Sequence, residues 1–486
     1  MVTPDKNHRP APSMRTFSTF IFSFILSLCV IHSAVAVDHS EKELRWQSAL
    51  SEIVFSTVPL KNIQSKGPVT TLFTIHGSNT VGGKLGPNLA VEYLKEKGLV
   101  NVRVQHLDKI NEKVVIGDLP KRGKSVQIHI SAHGSSTGFK GLMSGEADIW
   151  ASSRKVKDKE VAKGLSMTNL KDPNSEHVLA IDGLAMIVHP KNPINQLTKQ
   201  QLADIFSGQL TNWGQLGSKD QNINLYARDE NSGTWDSFKN MVLSKTAPLS
   251  ESAKRFESSE MLVENILIDE GAIGFIGLAF VGDTKLLAIS DGDTQAFKPS
   301  LLTVATEDYA LSRRLFLYTD DEPSNPYVKE FINFSESIAG QSVAQKLGFI
   351  SQNVEAMKTS LAKNLPLDYL KLVEGNKRLS LNFRFQPGSA KLDNKAIKDI
   401  YRLAYYIKRQ GSEQDLLLIG FGDRRKNQDR SKLLSKLRAM AVRRELAKVG
   451  VYAKLSTGYG EFNPVATNTA ASDGQMKNRR VEAWVR

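Results

Sequence analysis

Three times this chain carries an alternating or apolar stretch into a turn of Gly, Ser, Asn and Thr and out again into a helical pattern. The first runs through residues 69–75 into His76-Gly77-Ser78-Asn79-Thr80, with a helix expected over 89–97. The second runs from Gln127-Ile128-His129-Ile130-Ser131 into His133-Gly134-Ser135-Ser136-Thr137-Gly138. The third runs from Ile223-Asn224-Leu225-Tyr226-Ala227 into Arg228-Asp229-Glu230-Asn231-Ser232-Gly233-Thr234-Trp235. A single Ser/Gly turn is commonly only a turn. Three of them, each between a strand and a helix, are what an α/β sheet uses to gather one anion at its carboxyl edge. Free N–H groups at a helix start favour an anion, and Arg228 adds a planar fork of donors suited to an oxyanion. By itself the third segment is equally well an ordinary N-cap, with Ser232 or Asn231 capping and Arg228 solvated.

With 486 residues the chain has room for two to four domains with ample cores. Its N-terminus reads as a secretory leader: Arg15, an apolar run over 16–31, and Ala34-Val35-Ala36. The run is short of the roughly 20 residues of a membrane span. Cleavage is expected after Ala36, with Met1 or Met14 as the start. Cys29, the one cysteine, lies inside the leader, so the exported protein is expected to have no disulfide and no cysteine-bound metal. Charge divides the rest. Residues 376–486 carry 24 Lys+Arg against 10 Asp+Glu, a surplus of +14, while 37–375 come to −3. Such a step marks separate domains and suits an anionic partner for the C-terminal part. Export makes nucleic acid the least suitable one, and none is expected.

Between the loops the chain keeps alternating strand and helix. Gly145-Glu146-Ala147-Asp148-Ile149-Trp150-Ala151-Ser152-Ser153-Arg154 reads as a buried strand ending in hydroxyls. Residues 179–188 form a long apolar stretch, and 201–208 a helix stopped by Gly208. A segment around 107–125 looks inserted between the first two loops. A crossing back near Arg314-Leu315-Phe316-Leu317-Tyr318 suggests two α/β lobes joined by a hinge.

The span 69–350 resembles the phosphate-binding proteins of bacterial phosphate ABC importers. The likeness rests on Gly77 to Thr80, Gly134 to Gly138, Asp148 to Arg154, Asp204-Ile205-Phe206-Ser207-Gly208 with Asn212-Trp213, Arg228 to Thr234, and Ala272-Ile273-Gly274-Phe275. It implies an α/β periplasmic-binding-protein fold of two lobes that close on inorganic phosphate, with an importer permease as a further partner. By position, Ser78, Asn79, Thr80, Ser135 and Ser153 are then expected to meet the anion from one lobe, and Arg228, Ser232, Gly233 and Thr234 from the other. Some members have an aspartate where Ser153 stands, accepting the proton of hydrogen phosphate, so the choice between phosphate and sulfate stays open. His133, beside the second loop, is either a donor to the anion or a satisfied loop histidine, and the latter is expected.

Residues 351–377 read as a linker, and 378–486 as a β-α-β-α-β-β α/β sandwich. Asp423 and Arg438 are either a structural ion pair or a clamp for a zwitterion, Arg taking a carboxylate and Asp an ammonium. This part resembles the outer-membrane protein A-like peptidoglycan-binding module through Gly422-Asp423, Leu434-Ser435, Arg438-Ala439, Gly458, Gly460, Asn463-Pro464 and Asn478-Arg479-Arg480-Val481-Glu482. The resemblance implies that Asp423 and Arg438 hold diaminopimelate of the wall peptide, flanked by Leu434 and Arg479. The loop Arg424-Arg425-Lys426-Asn427 and Ser431 depart from its pattern. Residues 1–36 are then leader, 37–68 an N-terminal segment, and the whole a periplasmic phosphate receptor held at the wall. No catalytic residue, metal or cofactor is expected. A phosphoester hydrolase using the same cradle, or an envelope-structural or adhesive protein, are the competing readings.

Overall fold

In a computed structural model, residues 53–55, 60, 68–120, 123–165, 168–230, 232–243, 247–359, 365–386, 389–410, 415–424, 427–467 and 474–486 are described. The leader, most of the N-terminal segment, Asn231, Gly388, Arg425, Lys426 and Asn468 lie outside these residues.

The first lobe opens with β1 (Val69–Gly77), a π-helical turn (Val81–Leu85) and α1 (Gly86–Glu96). An antiparallel meander follows, β2 (Val100–His106), β3 (Glu112–Asp118) and β4 (Ser125–Ser131), occupying the segment that looked inserted. Then α2 (Ser135–Ser144) leads to β5 (Ile149–Ser152). β1 lies between β4 and β5, parallel to both, so three chain ends open on one edge. α1 keeps Leu89, Ala90, Tyr93 and Leu94 on one stripe and buries them against Phe73 and Ile75 of β1. Each large side chain so covered contributes roughly 1.5–3 kcal/mol.

β6 (Glu176–Val188) then crosses to the second lobe. That lobe holds β7 (Asn224–Arg228), α3 (Gly233–Met241), β8 (Lys254–Phe256), α4 (Ser259–Ile268) and β9 (Ala272–Gly277), and β10 (Ser312–Tyr318) returns to the first. Residues 176–183 of β6 pair with β10 and residues 184–188 with β9. One strand thus belongs to both lobes, and the order runs β2-β3-β4-β1-β5-β10-β6-β9-β7-β8.

The C-terminal domain is an α/β sandwich of five strands. It comprises β11 (Ala356–Met357), α5 (Leu367–Val373), β12 (Lys377–Arg384), α6 (Asn394–Gln410), β13 (Leu417–Gly420), α7 (Gln428–Lys448), β14 (Leu455–Gly458) and β15 (Arg480–Val485), in sheet order β11-β12-β15-β13-β14. The stretch read as a linker is therefore largely built into this domain. β11 pairs with β12, and Tyr369 of α5 is buried with its hydroxyl donating to Glu482 at 3.1 Å. The charged surface of α5 hid the one aromatic face that docks it.

The two domains meet through buried charge. Arg378 of β12 reaches Asp308 at 2.7 Å, and Asn382 donates to Asp308 and to the Thr306 carbonyl. Arg384 donates to that carbonyl at 2.9 Å. Arg314 of β10 pairs with Glu307 and, at 2.7 Å, with Asp393 before α6. Burial opposes ionisation of Glu307, but Arg314 and Arg384 outweigh it and hold its carboxyl at about 2. Because the folded pKa lies below the unfolded one, this contribution is complete above the ordinary glutamate range and disappears as pH falls towards 2. It amounts to about 3 kcal/mol. Glu307→Gln is expected to lower the urea-unfolding free energy at neutral pH by about 3 kcal/mol and to flatten its decline in acid. A variant as stable as the parent at neutral pH would show the pair to be dispensable.

Candidate functional site

The loops after β1, β4 and β5 bring Ser78 to Thr80, Ser135 and Ser153 to one edge because their strands run parallel. Gly77 has φ 141°, and a Cβ there would sit 2.0 Å from the Ala151 carbonyl oxygen, so only glycine lets the first loop lie on β5. Ser78 N–H donates to that carbonyl at 2.8 Å. Ser135 Oγ lies 3.2 Å from Ser153 Oγ and accepts from Ser153 N–H at 3.1 Å. Ser78 Oγ is buried and without a hydrogen-bond partner, which in a folded interior is costly.

The second lobe meets this edge at the start of α3. Ser232 caps the helix by accepting from Thr234 N–H at 3.2 Å. Gly233 lies against the first loop: a Cβ on it would stand 2.1 Å from Thr80 Oγ1 and 2.5 Å from Thr80 N. Asp236, one turn into α3, accepts from Ser153 Oγ at 3.3 Å.

Arg313 of β10 ties these groups together. Its Nη2 donates to Thr80 Oγ1 at 2.8 Å, to the Gly233 carbonyl at 3.2 Å and to Asp182 Oδ2 at 3.1 Å. Asp182 stands directly across from it on β6. Arg313, Asp182 and Asp236 escaped the sequence reading. The signal for the first two was present, a charge set inside each of two apolar strands, where an unpaired charge is prohibitive.

Arg228 is turned differently. Its Nε donates to the Phe256 carbonyl at 3.1 Å, Nη2 to the Glu257 carbonyl at 2.6 Å and Nη1 to Ser259 Oγ at 2.7 Å. These take three of its five N–H groups. Burial pulls its pKa below the ordinary value, against Asp229, Glu260 and Glu257. Thr234 is half-buried beside Gly233. His133 is occupied by Glu112, with Nε2 3.1 Å from Oε1.

In the C-terminal domain Asp423 follows β13 and is buried. Arg479 donates to both its carboxylate oxygens, each at 2.9 Å. Arg438 of α7 is buried close by: a Cβ on Gly422 would lie 3.7 Å from its Nη1, and its guanidinium sits 5.7 Å from the Phe385 ring centre. Leu434, half-buried, stands one turn before Arg438. Asn478 fastens the neighbouring loop, accepting from Val465 N–H at 2.8 Å and Ala466 N–H at 3.1 Å.

Residues 112–337 match the family model described as a PBP superfamily domain, and residues 384–479 match the OmpA family. Protein SphX of Synechococcus elongatus is 31% identical over 254 residues, spanning 49% of this chain and 73% of that protein. This chain belongs to the PBP superfamily. The phosphate-binding protein PstS of Borreliella burgdorferi is 28% identical over 236 residues, spanning 47% of this chain and 81% of that protein. An ABC-type phosphate transport receptor from Vibrio cholerae shares 27% identity, covering 57% of this chain and 99% of that one, with a TM-score of 0.45. In this PBP-superfamily member, Gly233→Ala is expected to hold the lobes apart, because the Thr80 backbone cannot yield to a methyl group. Small-angle scattering should record a larger radius of gyration. An unchanged curve would mean that the Thr80 loop moves instead of the lobe.

Proposed function

We propose that this protein binds inorganic phosphate between its two lobes and is held at the peptidoglycan by its OmpA-family domain. The reading is carried by one arrangement: Arg313 bridging Thr80 and Gly233 across the lobes, beside an unpartnered Ser78 Oγ. Hydroxyls of Ser78, Thr80, Ser135 and Ser153, the Asn79 side chain, the Gly233 N–H, the N–H groups of Arg228 left by its three bonds and the Arg313 guanidinium suit a tetrahedral oxyanion, while the N–H groups of Ser232 and Thr234 donate to the Asp229 carbonyl and to Ser232 Oγ and brace that helix start. The PstS relatives are phosphate-binding proteins by name, which fits. The protein acts as a receptor for uptake or sensing, with a permease as the natural recipient, rather than as an enzyme. It works in the periplasm.

Asp236 gives the site a means of choosing its anion. Hydrogen phosphate carries a proton that a carboxylate can accept, whereas sulfate at neutral pH carries none. A carboxylate facing a proton-free dianion is left in repulsion. Calorimetric titration of the exported chain, stripped of bound anion, should show phosphate binding and no sulfate binding. Arg313→Met should weaken phosphate binding about ten- to a hundredfold, and Asp236→Asn should narrow the gap between the anions. Absence of phosphate binding in the parent would overturn the proposal.

In the OmpA-family domain, the Asp423 carboxylate is of the chemistry that receives an ammonium, and the Arg438 guanidinium buried close by is of the chemistry that receives a carboxylate. Asp423 and Arg438 with Leu434 and Arg479 alongside therefore suit the zwitterionic end of diaminopimelate. Sedimentation with diaminopimelate-containing sacculi should retain the parent. Asp423→Ala should release it, with phosphate titration unchanged. Equal retention of parent and variant would remove this site from wall binding.

A further inference from the structure

α7 has two faces of opposite purpose. Ser431, Ser435, Arg438, Ala439, Val442 and Leu446 face the domain and are buried. On the other side Leu433, Leu437 and Met440 are exposed by 57, 44 and 48%. Their i, i+4, i+7 spacing makes one apolar stripe along the helix. Arg430, Lys432, Lys436 and Arg443 surround it, all exposed and without an acidic partner among the described residues. Arg444 and Lys448 flank Glu445 at 3.3 and 2.6 Å.

A polysaccharide presents narrow C–H faces edged by hydroxyls, which match a flat aromatic ring better than a stripe of Leu and Met. A second copy of the same face would set six Lys and Arg side chains against six more, which opposes self-association. An anionic lipid leaflet answers both features. Its acyl boundary takes Leu and Met, and its phosphates take Lys and Arg, whose stems lie along the apolar stripe while their heads reach the headgroups. We propose that the outward face of α7 lies in the plane of an anionic membrane leaflet. Among the described residues no helix is long and apolar enough to cross a membrane, so this is contact along the surface. Arg438 stays on the inward side of the same helix and Asp423 in the loop after β13, so that, on the wall-binding reading above, one domain holds the receptor at both lipid and wall.

The test is co-sedimentation of residues 37–486 with phosphatidylcholine vesicles, pure or containing a quarter phosphatidylglycerol, at low and high salt. Binding to the phosphatidylglycerol vesicles alone, weakened by salt, is expected. Each lost basic residue should reduce it about fivefold, so Lys436→Glu with Arg443→Glu should nearly abolish it. Leu433→Ser with Leu437→Ser should remove the part that survives high salt. Both double variants are on the surface, and their melting and phosphate titration should match the parent. The proposal fails if neutral and anionic vesicles bind equally, if neither binds, or if the leucine variants bind like the parent. It also fails if the parent dimerises in sedimentation velocity and the leucine variants do not.

Discussion

Arg313 and Arg314 are neighbours on one strand, and the alternation of a β-strand sends them to opposite faces. Arg313 enters the cleft, where Asp182, Thr80 and the Gly233 carbonyl receive it. Arg314 enters the domain interface, where Glu307 and Asp393 receive it. Most of the architecture depends on this pair. β10 must stay between β5 and β6 for one arginine to join the lobes, and the C-terminal domain must dock for the other to be neutralised. A charge left alone in either place would cost several kcal/mol.

The same geometry explains how a cleft lined mainly by hydroxyls holds together. Ser135, Ser153 and Asp236 form a chain of hydrogen bonds from one lobe to the other, and Arg313 forms a second. Both chains end on the loops that follow β1, β4 and β5. The two lobes are thus joined by side chains and backbone at the same edge where the three loops end. Glycine at 233 is what allows the approach.

The C-terminal domain concentrates the chain's positive charge, and the structure divides that charge by use. Arg378, Arg384 and Arg480 are buried and matched with Asp308, Glu307 and Glu482. Arg438 and Arg479 gather at Asp423. Those on the outside of α7 remain in solvent around three apolar side chains. A net surplus in the sequence therefore covers three different physical roles.

The sequence by itself determined the α/β class, the three strand–loop–helix units and the presence of a separate basic C-terminal domain. These follow from short-range periodicity, from Gly and Ser at fixed places, and from local charge, all of which act within about ten residues. It also placed Ser78, Ser135, Ser153 and Asp423 in the loops that follow strands, because the strand periodicity ends just before them. Only the tertiary structure decided that Asp182, Asp236 and Arg313 belong to the cleft, that Arg228 is braced by the segment around Phe256, and that residues near Tyr369 are part of a domain rather than a tether. Those partners are separated by long stretches of chain. A charge inside an apolar strand announces that it needs a partner, but only the folded sheet, with Asp182 set opposite Arg313, says which one.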